Sequence, residues 1–343
     1  MFPLAPLPRT VDAALRDAGH AKLAVRLSAL ADLGRFASGP DAERAITEIT
    51  RLLAHDPSSE VRAGAALALA DAKAGGAGRS LLAATKDPDQ KVRQMALLAL
   101  GELGSDDRDH LETIRSALDD PAAALRFQAL VALHHLGGTD IESDIEAKFE
   151  DTDAEVRFVA IRIAEERFIE DHRGRPAWLV DKLKQAVSDD VTFVRLLAAI
   201  VLYRAGEDTD AGVLADAVNA RIGVREVEDE QEAIEIAGEL RLEQARAGLE
   251  RRAFGWFGIS RDPFAWQARV ALAKMGHVRA VASILADLKG WTWETRTLAA
   301  AAAGASRLRA ARAGLLAMLG DETRANPDTV RDALRQIDAS SAG

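Results

Sequence analysis

The residue types that carry most enzyme chemistry are sparse in this chain. It has 343 residues, no Cys and seven His, at positions 20, 55, 110, 134, 135, 172 and 277. Without Cys, disulfides and thiolate metal sites are excluded. His134-His135 is the only adjacent His pair. Neighbouring residues on a helix diverge by about 100°, which suits a single metal poorly. One of the two imidazoles is expected to face a groove and the other its rim. The cluster Gly75-Gly76-Ala77-Gly78 lacks the Lys-Ser/Thr and the preceding strand that a phosphate cradle needs, and reads as a connecting loop. The acidic clusters Asp106-Asp107-Arg108-Asp109 and Glu226–Glu232 fit either a basic partner or, more simply, solvated turns and a helix N-terminus.

One polar constellation is left, and it is periodic. An Asp opens a turn, and six residues later an Arg follows an apolar residue. The copies are Asp56…Arg62, Asp87…Arg93, Asp120…Arg126, Asp151…Arg157 and Asp189…Arg195, the first three with Pro after the Asp. A catalytic site would occur once, whereas a six-residue spacing in every copy suits a stacking device. Successive Arg lie 31, 33, 31 and 38 residues apart, and a period in this range marks a solenoid. Each copy reads as helix, turn, helix. Asp caps the second helix, and Pro suits its first turn but not an interior. Gly104 and Gly137 end second helices. Apolar residues at Val92, Ala96, Ala99, Leu100 and Leu103, and at Leu125, Ala129, Ala132, Leu133 and Leu136, form stripes of helical period.

The reading is all-α: an α-solenoid, a right-handed superhelix of about ten helix-turn-helix repeats. The expected organisation is an extended lead over 1–9, a single solenoid over 10–338 and a disordered tail over 339–343. The solenoid is regular at 41–206 and irregular at 207–305. Hydrophobic content of 48% suffices for a continuous core, and 5% aromatics fits close packing through small side chains. The start lacks the pattern of a signal peptide. No stretch approaches the ~18–20 apolar residues of a membrane span. A net charge of −10 disfavours non-specific binding to nucleic acid or anionic lipid. These features together read as cytoplasmic.

The run of apolar helix, Asp-Pro turn, Val-Arg, then Ala-x-x-Ala-Leu-x-x-Leu-Gly resembles HEAT repeats, in particular the short repeats of phycobilisome lyases. The resemblance implies a hydrogen-bonded ladder between adjacent repeats, made by Asp56, Asp87, Asp120, Asp151 and Asp189 with Arg62, Arg93, Arg126, Arg157 and Arg195. It also implies that second helices line a concave face. HEAT-fold di-iron hydroxylases carry His-Glu pairs, and no His here is followed by Glu. HEAT-like DNA glycosylases use a basic concave face, which the net charge opposes.

On the second helices, the positions opposite the core stripe either stack into an apolar strip with a polar edge or pack in part on the first helix of their own repeat. The candidates for partner binding are Met95, Leu98, Glu102, Phe127, Gln128, Val131, His134, Phe158, Arg162, Glu165, Leu196, Ile200 and Tyr203. Four of the five Trp lie between 256 and 293. Trp266 and Trp293 recur at one repeat slot and are expected to pack. Trp256, Phe257 and Trp291 fall in turns and are expected along an exposed edge. The functional expectation is a non-enzymatic scaffold or adaptor that holds a basic or apolar helical segment of another protein, without catalytic residues, metal or cofactor. The alternative is a chromophore-handling enzyme like the phycobilin lyases, or its chaperone subunit.

Overall fold

The computed structural model describes residues 9–104, 108–137, 140–170, 174–255, 262–321 and 323–339. Of the expected lead over 1–9 and tail over 339–343, residues 1–8 and 340–343 lie outside them, as do the acidic residues Asp106 and Asp107. Twenty α-helices and no strand occur among the described residues. The chain groups into two compact units, Met1–Gly174 and Arg175–Gly343.

The first unit holds α1 (Val11–Asp17), α2 (Leu23–Phe36), α3 (Ala42–His55), α4 (Ser59–Asp71), α5 (Gly78–Ala84), α6 (Gln90–Glu102), α7 (Arg108–Ser116), α8 (Ala123–His135), α9 (Glu142–Lys148) and α10 (Ala154–Glu165). The second holds α11 (Ala177–Ala186), α12 (Thr192–Arg204), α13 (Ala211–Val218), α14 (Val227–Glu239), α15 (Arg246–Phe254), α16 (Ala265–Lys274), α17 (Val278–Asp287), α18 (Trp293–Ala305), α19 (Arg312–Leu316) and α20 (Pro327–Ala339). Each odd helix pairs with the even helix after it, giving five helix pairs per unit. This is the all-α solenoid architecture that the period predicts.

In the first unit, the even helices α4, α6 and α8 pack on one another more closely than the odd helices do. The even layer is therefore the tighter, concave side. The stripes read from sequence are the core. Val92, Ala96, Ala99 and Leu100 are fully buried, as are Ala129 and Leu133. Small residues let the layers close. A Cβ on Gly101 would lie 2.7 Å from Ala132 Cα, and Gly238 and Gly304 meet Ala271 and Ala333 in the same way.

Seven of the ten even helices end alike. The second residue past α4, α6, α8, α12, α14, α16 and α18 has positive φ: Lys73, Gly104, Gly137, Gly206, Arg241, Gly276 and Arg307. This left-handed cap returns the chain toward the next odd helix. Four copies use Gly, and three hold a side chain there against the backbone preference. Lys73→Gly, Arg241→Gly and Arg307→Gly are each expected to stabilise the protein by about 1 kcal/mol, the usual cost of a side chain in that conformation. Urea denaturation of each variant checks this, and a uniform loss of stability would contradict it.

Candidate functional site

The turn Asp and ladder Arg residues make two kinds of contact, one within a repeat and one between repeats. Within a repeat, Nη1 of Arg62, Arg93, Arg126, Arg157 and Arg195 donates to the carbonyl oxygen of the Asp six residues earlier, at 2.9, 2.9, 2.9, 2.9 and 3.0 Å. The Asp carboxylate accepts the backbone N–H two residues on, as in Ser58 to Asp56 at 2.9 Å and Ala122 to Asp120 at 2.8 Å. The same holds at Asp87, Asp151 and Asp189. Between repeats, the guanidinium forks onto the next carboxylate: Arg26 on Asp56, Arg62 on Asp87, and Arg126 on Asp151.

Arg26 belongs to this set, and its place in the first repeat's motif slot is the only sequence signal for it. Arg93 instead caps the carbonyls of Asp87 and Pro88. The Arg62 guanidinium holds the Asp87 carboxyl below the ordinary carboxylate range. At Asp151 burial pushes the pKa up, but Arg126 and the Asp153 N–H outweigh it and the net shift is downward.

The concave face of the first unit follows from counting along each even helix from its ladder Arg. Five residues on lie Ala31, Leu67, Leu98, Val131 and Arg162. Nine residues on lie Arg35, Asp71, Glu102, His135 and Glu166. The first row is apolar until Arg162 closes it, and the second is mostly acidic. Leu67 is 41% exposed, and Leu98, Phe127 and Val131 are partly exposed. Between α2 and α4 the face opens into a slot of about 440 Å3, lined by Leu27, Ala31, Gly34, Gly64, Leu67 and Asp71 among others. Small side chains leave that space.

Side-chain pairs cross the repeats along the polar row. His135 Nδ1 lies 2.8 Å from Glu102 Oε1, and His134 Nε2 lies 3.1 Å from Glu166 Oε2. Burial lowers the His134 pKa against the opposing pull of Glu166. Its Nδ1 is buried with no hydrogen-bond partner among the described residues. No group of three His, Asp or Glu is placed to hold a metal among those residues.

The expected strip is divided. Met95, Leu98, Glu102, Phe127, Val131, His134, Arg162 and Tyr203 keep exposed surface. Gln128, Phe158, Glu165, Leu196 and Ile200 are buried and offer nothing to a partner. The reason lies in α10 and α12. Their runs Phe158–Glu165, interrupted only by Arg162, and Leu196–Leu202 are buried all round, because helices apolar on every face bury every face. Arg162 sits over the Phe158 ring, 5.3 Å from its centroid, and donates to Glu165 at 3.0 Å. Leu67, which extends the row, falls one repeat before the candidates read from sequence. Its signal is the shared position five residues after a ladder Arg.

In the second unit Trp291 is fully exposed. Trp293 is 39% exposed, and Trp266 packs against the core. Trp256 and Phe257 lie outside the described residues. The acidic run Glu226–Glu232 occupies the N-cap position and first turns of α14, where acids suit the helix N-terminus. Glu230 and Glu232 pair there with Arg252 and Arg204.

Residues 78–147 match the family model described as HEAT repeats. No curated protein matches the sequence. Among solved structures, an engineered protein is similar at 17% identity and a TM-score of 0.47, over 96% of this chain and 98% of that one. The complex of CpcE and CpcF of phycocyanin lyase from Nostoc sp. PCC7120 is similar at 19% identity and a TM-score of 0.43, over 73% and 96%. YibA of E. coli is similar at 15% identity and a TM-score of 0.45, over 93% and 98%. No helix among the described residues is long and apolar enough to cross a membrane.

Proposed function

We propose that this protein is a non-enzymatic scaffold or adaptor of the cytoplasm that holds an apolar, basic helical segment of another protein on the concave face of its first unit. The observation that carries this reading is the row Ala31, Leu67, Leu98 and Val131 beside the acidic row of Asp71, Glu102 and Glu166. Packed helices lie about 8–10 Å apart, so neighbouring anchors in the row have that spacing. Seven helical residues rise about 10.5 Å, so a partner helix crossing the layer meets each anchor with one side chain per heptad. From the row next to the ladder Arg to the polar row is eight residues, about 12 Å along each even helix, which matches a helix diameter of about 10–12 Å. An extended strand, about 5 Å wide, would leave half the face uncovered.

The probe is a labelled amphipathic peptide with Leu at heptad spacing and Lys on the flanks, titrated by fluorescence anisotropy. Leu67→Glu with Leu98→Glu, and separately Asp71→Lys with Glu102→Lys, are each expected to weaken binding by at least about tenfold. Wild-type affinity in both variants would remove the reading. The alternative, a chromophore-handling enzyme, has its own test: incubation with bilin and apo-phycobiliprotein, followed by visible absorbance.

A further inference from the structure

Charge is unevenly spread along this chain. Residues 101–174 hold eight basic and nineteen acidic side chains, whereas residues 251–343 hold fourteen basic and eight acidic. The last stretch is therefore locally basic on a protein of net charge −10. On it lies a groove of about 760 Å3 between the end of α17, the following turn and the region of α19.

The groove exists because α19 is only five residues long and its surroundings are small. Ala310, Gly314 and Ala317 line one wall, and a Cβ on Gly314 would touch only Leu288 Cδ1, at 3.9 Å. The floor is Leu285, Leu288 and Met318.

The turn beside this groove carries Trp291, whose side chain is 100% exposed. Leu316 and Leu319, 44% and 39% exposed, lie on α19 and just after it. Such a turn is rigid for a reason. Arg296 donates to the carbonyls of Gly290 at 2.7 Å, Trp291 at 3.0 Å and Thr323 at 3.2 Å, and also to that of Arg324. The guanidinium is spent on holding the turn, so Trp291 is presented on a fixed frame. Lys289 lines the groove with no side-chain bond among the described residues, and Arg324 lines it paired to Asp321 at 3.1 Å. An exposed Trp beside an apolar floor marks a contact surface, and the surrounding charge selects the partner.

We propose that this groove docks an acidic amphipathic peptide segment of another protein. The segment's apolar side chains lie on the part-exposed Leu285 and beside Trp291, and its carboxylates meet Lys289 and Arg324. A membrane surface fits less well, because the apolar residues line a concavity instead of a protrusion. Nucleic acid fits less well because the floor is aliphatic and Arg296, its most central cation, is already satisfied by carbonyls. This surface is separate from the concave face of the first unit and has the opposite charge preference.

The test uses the full chain and a fluorescein-labelled synthetic peptide with Leu and Phe on one helical face and Glu on the other. Trp291→Ala and Lys289→Glu should each weaken binding by about tenfold, and raising salt from about 0.1 to about 0.5 M should weaken it further. These residues are exposed, so unchanged circular dichroism and melting are expected, and Arg324→Glu gives a third exposed variant, in the groove lining, with the same expected loss. Equal affinity in wild type and all three variants would overturn the proposal, as would no binding at millimolar peptide. Trp291-dependent binding to vesicles of phosphatidylserine and phosphatidylcholine, without peptide binding, would overturn it in favour of a lipid surface. Self-association abolished by Trp291→Ala would overturn it in favour of a second copy of the chain.

Discussion

Replacing Arg126 with Ala is expected to destabilise the protein by about 3–5 kcal/mol, the cost of removing one partner of a buried ion pair. The side chains of Arg126 and Asp151 are 11% and 5% exposed. All five guanidinium protons are used. Nε and Nη2 donate to the two Asp151 oxygens at 2.8 and 2.6 Å, and Nη2 also donates to Thr152 Oγ1 at 3.3 Å. Nη1 takes the carbonyls of Asp120 and Pro121 at 2.9 and 3.2 Å. Lys has a point charge and no fork, so Arg126→Lys should recover only a minor part of the loss. Arg126→Met combined with Asp151→Asn should recover more, because most of the cost is a buried carboxylate left with only the longer pair to Lys148, at 3.9 Å.

The pH dependence has a definite sign. Asp151 titrates below its ordinary value of 3.8, so its contribution is fully present above that pH and lost as pH falls through the lower folded value. Arg126→Ala should shrink this acid-side loss. Urea denaturation at neutral pH and in acid measures both effects. A change within about 0.5 kcal/mol, typical of surface substitutions, would mean that the ladder does not stabilise the stack.

Gly101→Ala is the second large effect, and its sign discriminates between two forces. Ala is favoured over Gly in a helix interior by about 1 kcal/mol, so an isolated α6 would gain. Here the new Cβ would sit 2.7 Å from Ala132 Cα and 2.8 Å from its Cβ, and backbone does not yield cheaply. Overpacking of this kind costs about 1–3 kcal/mol, so a net loss is expected. Gly238→Ala and Gly304→Ala, each 2.6 Å from the Cα of Ala271 or Ala333, should behave alike. Gly76→Ala has open space and should be neutral or mildly stabilising. Thermal melts of the four variants give the comparison, and a gain at all four would show that the helices separate without cost.

Much of this architecture is written locally. The helix pairs follow from apolar stripes at helical spacing, and the turns from Asp-Pro. The six-residue Asp-to-Arg interval matches the distance from a ladder guanidinium back to the carbonyl at the head of its own helix. These are contacts within one repeat, set by backbone geometry that every repeat shares, so a single sequence suffices to read them.

The exposure of the candidate site is a different matter. Phe127, Phe158 and Leu196 all follow a ladder Arg directly, yet Phe127 keeps surface while Phe158 and Leu196 are buried. Leu67 and Ile200 share the slot five residues on, one 41% exposed and the other fully buried. Periodicity fixes the direction in which a side chain leaves its helix. What meets it there depends on the neighbouring elements: an Arg162 laid over Phe158, or the packed core around Leu196 and Ile200. Similarly, the full exposure of Trp291 follows from a turn held by Arg296 through carbonyls as distant as Thr323 and Arg324. The sequence by itself determined the repeat, its turns and its stacking residues, because those are short-range. Only the tertiary structure decided which apolar side chains remained for a partner, because burial depends on residues far along the chain.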